Sequence, residues 1–480
     1  MKQTDWKIVY SSYEAEEKRA INLLSKELGR NLIREKGEYR LHVLPCEKDG
    51  CDIPVNAIVV GTYDESNVVK NFVKSDEIPQ NGFLVRVIKN PDNENGRIVI
   101  LTAHTKQELF YAAVSFLDDY IPEYAPRFAV NPMPDWIFNE PLPECSYTET
   151  ADNKTRSIFT WGHSTNDYRS YIDNMARLKF NEIVFWNDYI PLNIDEIIDY
   201  AHSYGIKIIL GYSWGWREIG NSTGAISSED IEKVKAIAIR EYKENYSIHN
   251  CDGIYFQAFT ERKEESVEGG VIAQLVTDMV NDVAGKLWEI TPELRIIFGL
   301  HATSVRNRLD IIENVDPRME ILWEDCGGFP YNYKTDIDSA EEFEKDKEFT
   351  KKLLQLRGGK GVGLVFKGVM MLNWDNFIYQ AGPYVMGENS PEVADHDRAV
   401  RTKAWKIYSA EWLKNGKYAS EMIRYINENK MDEVNMCAAG TFDGGIYFPL
   451  AMYAQLFRDC GEEHDEIVKK VVRRECVDVE

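Results

Sequence analysis

The chain holds 480 residues, 44% hydrophobic and 28% charged, which is room for two or three domains around a sizeable core. Its 79 Asp and Glu against 56 Lys and Arg leave a formal net charge of -23. A surface that acidic repels phosphate backbones and anionic lipid, which argues against nucleic acid and membrane as partners.

No apolar run is long enough to span a bilayer, and Met1-Lys2-Gln3-Thr4-Asp5-Trp6 leads into no signal-peptide core. The eight cysteines are scattered without a CxxC pair. Together these features lead us to expect free thiols and a cytoplasmic location.

Residues 1–122 read as a small α+β unit. A short strand at 7–10 precedes a helical period over 14–28, and extended runs follow at 39–44, 57–60, 82–89 and 97–101. The stretch Asn90-Pro91-Asp92-Asn93-Glu94-Asn95-Gly96 has the composition of a hairpin loop. A helix over 105–120 closes the unit, with Leu109, Ala112, Ala113, Phe116 and Leu117 on one face. Residues 123–156 are rich in Pro, Asn and Glu without a period and read as a linker.

From Ser157 short apolar runs alternate with helical segments, the pattern of a parallel sheet. The runs are 158–161, 182–186, 207–212, 253–259, 295–299, 320–323 and 362–366, with an eighth at either 369–374 or 434–439. A (β/α)8 TIM barrel needs about 250 residues, and we place it at 157–397. Residues 398–480 are expected as helices packed on the barrel. The fold class is α/β: a barrel preceded by a small α+β domain and followed by C-terminal helices. An open doubly wound sheet is the alternative, weakened because no glycine-rich phosphate turn follows the first run.

Reacting groups of parallel barrels sit at the carboxyl ends of the strands. Here those ends offer Trp161 and His163, Trp186 and Asp188, Trp214 and Trp216, Gln257 and Glu261, then His301. The last two runs add Trp323, Glu324 and Asp325, then Lys367, Trp374 and Asp375. Six of the eleven tryptophans fall in this set. Indole faces beside carboxylates and amides suit a sugar, whose C–H faces stack while its hydroxyls hydrogen-bond. The competing reading is that the aromatics only plug the barrel.

Hydrolysis of a glycosidic bond takes two carboxylates, one protonating the leaving oxygen and the other acting as nucleophile or as base for water. Glu261, where the fourth run gives way to Arg262-Lys263-Glu264-Glu265, is the expected acid. Its partner is expected from Glu324-Asp325, with Glu324 favoured because neighbours on a strand point oppositely and Asp325 leads into Cys326-Gly327-Gly328. No HExxH, GxSxG or P-loop pattern appears, so no metal or cofactor is expected.

Several phrases resemble a known group. Ala57-Ile58-Val59-Val60-Gly61-Thr62, Gly82-Phe83-Leu84-Val85-Arg86, Ile98-Val99-Ile100 and Tyr111-Ala112-Ala113 look like the small N-terminal domain of β-N-acetylhexosaminidases and α-glucuronidases. Asn181-Glu182-Ile183-Val184 followed by Tyr204-Gly205-Ile206-Lys207-Ile208-Ile209 is similar to their barrel. Trp323-Glu324-Asp325-Cys326-Gly327 and Gly382-Pro383-Tyr384 resemble a loosely characterised branch. The resemblance carries the acid to Glu261. Hexosaminidases of this type hold an Asp-Glu pair there, the Asp orienting the substrate acetamido group; this chain has Thr260-Glu261, a departure from the acetamido-assisted route. The α-glucuronidase pattern of later-strand carboxylates activating water fits Glu324 or Asp325, and Lys367 would meet a uronate.

The expectation is a glycoside hydrolase for small oligosaccharides or glycosides, hexosaminide or uronide, with a carbohydrate as its partner. A catalytically silent carbohydrate-binding protein and a non-hydrolytic barrel lyase or isomerase are the rivals. Whether the chain forms a homo-oligomer is left open by the sequence.

Overall fold

The structure is a computed structural model. It describes residues 6–28, 32–35, 38–41, 46–50, 52–124, 141–160, 165–186, 189–219, 226–267, 269–326, 340–366, 383–387, 390–440 and 448–475. The chain divides into two compact units, the first formed by residues 1–151 with 202–205 and 469–478, the second by the remainder.

The first unit is built on β1 (Trp6–Tyr10), α1 (Ala15–Leu28), the small pair β2 (Leu32–Glu35) and β3 (Glu38–Leu41), β4 (Cys46–Lys48), β5 (Asn56–Val60) and α2 (Asn67–Phe72). It continues with β6 (Gly82–Asn90), β7 (Asn93–Ala103), α3 (Lys106–Ser115) and β8 (Cys145–Thr150). The sheet order is β4-β1-β5-β7-β6-β8. Residues 57–60 read as an unbroken apolar run because β5 is an inner strand with its side chains buried on both faces. On one face Val9, Val59, Leu84, Ile98 and Ile100 close over Val68 and Val69 of α2. Thr105 starts α3 by accepting from the Glu108 amide at 3.2 Å. The stretch expected as a linker carries β8, which pairs antiparallel with β6. Its alternating side chains, half of them exposed, are those of a sheet edge, and the surrounding prolines hide that signal in the sequence.

The second unit is a closed barrel of β9 (Arg156–Phe159), β10 (Glu182–Trp186), β11 (Lys207–Ser213) and β12 (Gly253–Gln257), followed by β15 (Ile296–Leu300), β16 (Glu320–Cys326), β17 (Val362–Phe366) and β18 (Val434–Ala439). All eight neighbouring pairs are parallel. A hairpin of β13 (Ser266–Val267) and β14 (Gly270–Val271) lies between the fourth and fifth barrel strands. The helical layer includes α4 (Tyr168–Arg177), α5 (Ile194–His202), α6 (Ser228–Glu241), α7 (Ile272–Ile290), α8 (Leu309–Ile312) and α9 (Ala340–Gln355). Asp167 caps α4, and a Ser227–Asp230 capping box opens α6.

The eighth strand corrects the expected barrel end at 397. Closure is by β18, so α10 (Pro391–Asn415) and α11 (Lys417–Asn429) belong to the crossover before it rather than to an appended tail. The other candidate, 369–374, lies outside the described residues. Helices α12 (Phe448–Arg458) and α13 (His464–Glu475) follow the closing strand.

The amino-terminal end of the barrel is closed by a polar layer. Arg295 donates to Glu182 and, at 2.7 Å, to Glu320; Asn435 bridges the same two carboxylates at 3.0 and 2.8 Å; Ser157 donates to Glu182 at 2.8 Å. Each of these side chains lies within one residue of a strand's first position, at the end of a barrel that serves stability. The reactive end is the opposite one.

Candidate active site

Strand β12 ends at Gln257, and residues 258–261 form a turn, so Glu261 stands four positions beyond the strand rather than directly at its end. Along β12 the side chains alternate. Tyr255 and Gln257 point into the barrel and reach Glu324 of β16, while Phe256 points outward and stacks between Trp214 and Phe298 with ring centroids 3.5 and 5.2 Å away.

Glu324 is the centre of this end of the barrel. The Tyr255 hydroxyl donates to its Oε1, the Gln257 amide lies 2.7 and 2.6 Å from its two oxygens, and His301 Nε2 is 3.0 Å from Oε2. The side chain is 0% exposed. Burial, with the Glu324 charge beside it, pushes the Tyr255 phenol well above its ordinary pKa, so Tyr255 keeps its proton and donates. Tyr255, sitting edge-on to Phe159 at 5.1 Å and to Trp186 at 5.3 Å, completes the inner wall.

His301 follows β15 and joins the two carboxylates. Its Nε2 is 3.0 Å from Glu324 and 3.5 Å from Glu261 Oε1. The Glu261 side chain is 35% exposed, the accessible member of the pair. The two loops are tied together: the amide and hydroxyl of Ser304 donate to the Thr260 carbonyl at 3.0 and 2.9 Å, and the His301 amide donates to the Thr260 hydroxyl at 3.4 Å. Between His301 and this anchor Ala302 holds φ at 60°, a left-handed conformation costing a non-glycine residue about 1–2 kcal/mol. Strain of that kind persists where surrounding contacts over-determine the backbone.

Strand β16 is irregular at this point. Trp323 pairs with Leu364 and Cys326 with Phe366, so one extra residue is accommodated across Glu324 and Asp325. Such a bulge re-aims side chains and is common beside active sites.

Two tryptophans expected to line the mouth face the other way. Trp214 is buried against Phe256 in the outward layer, and Trp323 is buried edge-on to Phe349 of α9 at 4.9 Å. Trp323 neighbours Glu324 on β16 and so points to the opposite side of the strand, while Trp214 directly follows β11. Half-buried Trp186 does reach the inner wall, the one expected indole to do so among the described residues. Trp161, His163, Asp188, Lys367, Trp374 and Asp375 lie outside the described residues, as do the side chains of Trp216 and Asp325.

The structure adds Tyr255, Thr260 and Gly299 to the expected set. Tyr255 is legible in hindsight, two residues before Gln257 and so on the same face. Gly299 clears space: a Cβ there would fall on the Tyr255 hydroxyl and on Glu324 Oε1. Changing Gly299 to Ala should therefore lower the unfolding free energy by about 1–3 kcal/mol. The control is Gly285→Ala within α7, where a Cβ meets nothing within 4 Å; it should raise stability by about 0.5–1 kcal/mol. Denaturant midpoints of the two variants check the contrast.

Among the described residues no group of three or more His, Cys, Asp and Glu side chains could hold a metal ion. No helix among them is long and apolar enough to cross a membrane.

No protein-family model matches the sequence, and no curated protein matches it. Structural neighbours include glycoside hydrolases of several families and a D-psicose 3-epimerase. The chain is similar to BtGH115A, a family GH115 4-O-methyl-α-glucuronidase with specificity for decorated arabinogalactans, at a TM-score of 0.50 and 14% identity. That match covers 98% of this chain and 59% of the neighbour. CpGH84D aligns at a TM-score of 0.46 and 14% identity, over 87% of this chain and 70% of its own. A family 89 glycoside hydrolase from Clostridium perfringens in complex with PUGNAc aligns at 0.47 and 10%, over 96% and 51%. At such identities the likeness is one of fold: a glycosidase-like barrel with a sheet-and-helix unit before it.

Proposed function

We propose that the protein is a glycoside hydrolase acting on small oligosaccharides or glycosides, with Glu261 as the general acid and strand β16 supplying the second carboxylate, Glu324 or Asp325. The observation that carries this reading is Glu261, a partly exposed carboxyl at the carboxyl end of the barrel, standing 3.5 Å from a histidine that the sixth strand's buried Glu324 holds at 3.0 Å. A half-exposed carboxyl there can reach a leaving-group oxygen, and general acid catalysis needs a donor within hydrogen-bond reach of it.

The sugar is proposed as a hexosaminide or a uronide. Thr260 beside Glu261 removes the carboxylate that would orient an acetamido nucleophile, which favours the uronide of the two.

A panel of nitrophenyl glycosides, including glucuronides and N-acetylhexosaminides, tests the reading. Turnover of one of them without added metal is expected. Sugar binding with no turnover across the panel would instead support a silent carbohydrate-binding protein, and turnover only with added divalent metal would point to a lyase or isomerase.

A further inference from the structure

We infer that Glu324 is a positioning residue: it acts on Glu261 through His301 and does not touch the substrate. The inference rests on the reading of Glu261 as the acid, and it assigns Glu324 a role different from nucleophile or base.

Three observations carry it. Glu324 is fully buried, and both of its oxygens are engaged by the donors of Tyr255, Gln257 and His301. The imidazole of His301 stands between the carboxylates, so a sugar carbon has no place between them. The histidine and the acid are also clamped as one piece, since Thr260 receives both the His301 amide and the Ser304 side chain.

The chemistry follows from the proton positions. The Gln257 amide nitrogen also lies 3.3 Å from Nε2, but its two hydrogens are directed at the Glu324 oxygens at 2.7 and 2.6 Å. With Oε2 at 3.0 Å the proton between histidine and carboxylate is assigned to Nε2, which fixes the plane of the ring. When Glu261 passes its proton to the glycosidic oxygen, the new carboxylate has the imidazole nitrogen 3.5 Å away, in a ring that Glu324 already holds in place. The proton that leaves Glu261 goes to the leaving group; the one on Nε2 stays on the histidine. The titratable groups facing His301 include Glu261 and Glu324, with the Tyr255 phenol behind Glu324. A buried carboxylate orienting a histidine in this way is a recurrent device, and removing such a partner costs about 10–100-fold.

Glu324→Gln in the full chain is the test. The expected result is a fall in kcat of about 10–100-fold on a glycoside with a poor leaving group, with KM little changed. The loss should shrink on a dinitrophenyl glycoside, which needs no acid, and the double variant with Glu261→Gln should be no slower than Glu261→Gln alone.

A nucleophile behaves otherwise. If Glu324→Ala is dead on every leaving group and azide restores turnover as glycosyl azide, the inference is overturned. A spectroscopic arm needs no activity. In spectra of 15N-histidine protein at neutral pH, His301 should carry its proton on Nε2, and Glu324→Gln should shift it toward a tautomer mixture. An unchanged tautomer overturns the inference. If Glu324→Gln fails to fold, Tyr255→Phe, which removes one donor from the same carboxylate, should give a smaller loss with the same leaving-group dependence; a loss independent of leaving group counts against it. Should the wild-type chain hydrolyse no glycoside, the reading of function fails while the histidine spectra still judge the coupling.

Discussion

Glu261→Gln is expected to lower kcat on an accepted aryl glycoside with a poor leaving group by about 10²–10⁴-fold. Glutamine keeps the side-chain length and still fits beside His301, so what is lost is the transferable proton. The loss should fall steeply as the leaving group improves, because a dinitrophenolate departs without protonation, whereas a structural lesion would slow every substrate alike. A loss below about tenfold on the poor leaving group would remove Glu261 from the acid role. The test is direct because Glu261 is half exposed in a turn outside the barrel's hydrogen-bonded ladder, so its replacement leaves strand pairing intact.

Arg295→Met is expected to lower the unfolding free energy by about 3–5 kcal/mol, the cost of leaving buried charge without its partner. Glu182 is 0% exposed and Glu320 14%, and Arg295 is the cation that donates to both. Burial alone would depress the Arg295 pKa, but the Glu320 and Glu182 carboxylates overcome that and hold it above its ordinary value, so the guanidinium stays charged. Adding Glu182→Gln to Arg295→Met should recover part of the loss, because it removes one of the stranded charges. Guanidinium midpoints of the single and double variants measure this. The site lies at the amino-terminal end of the barrel, away from Glu261, so turnover per folded molecule should be that of the wild type. A loss of stability under about 1 kcal/mol would mean that the layer is solvated and contributes as little as a surface ion pair.

Position along the barrel was easier to read than orientation around it. The period change at Ser157, the spacing of the apolar runs and the carboxylate beyond the fourth run all follow from local composition, and the barrel and the place of Glu261 near its carboxyl end follow from them. The side on which Trp214, Trp323, Gln257 and Glu324 lie does not. A strand buried on both faces is apolar at every position, so it lacks the period-two signal that marks inside from outside. Trp214 and Trp323 looked like cleft residues because their positions along the chain were right while their facing was invisible.

The order of elements, the parallel barrel and the carboxylate beyond the fourth strand are written in the amino-acid sequence, because each depends on residues close together in the chain. The tertiary structure decided the rest: that β18 closes the barrel by pairing with β17 and β9, that a bulge falls across Glu324 and Asp325, and that Glu324 meets His301 instead of open solvent. Those outcomes depend on ring closure, where the register of each strand is set by neighbours tens to hundreds of residues away, and no local pattern encodes that register.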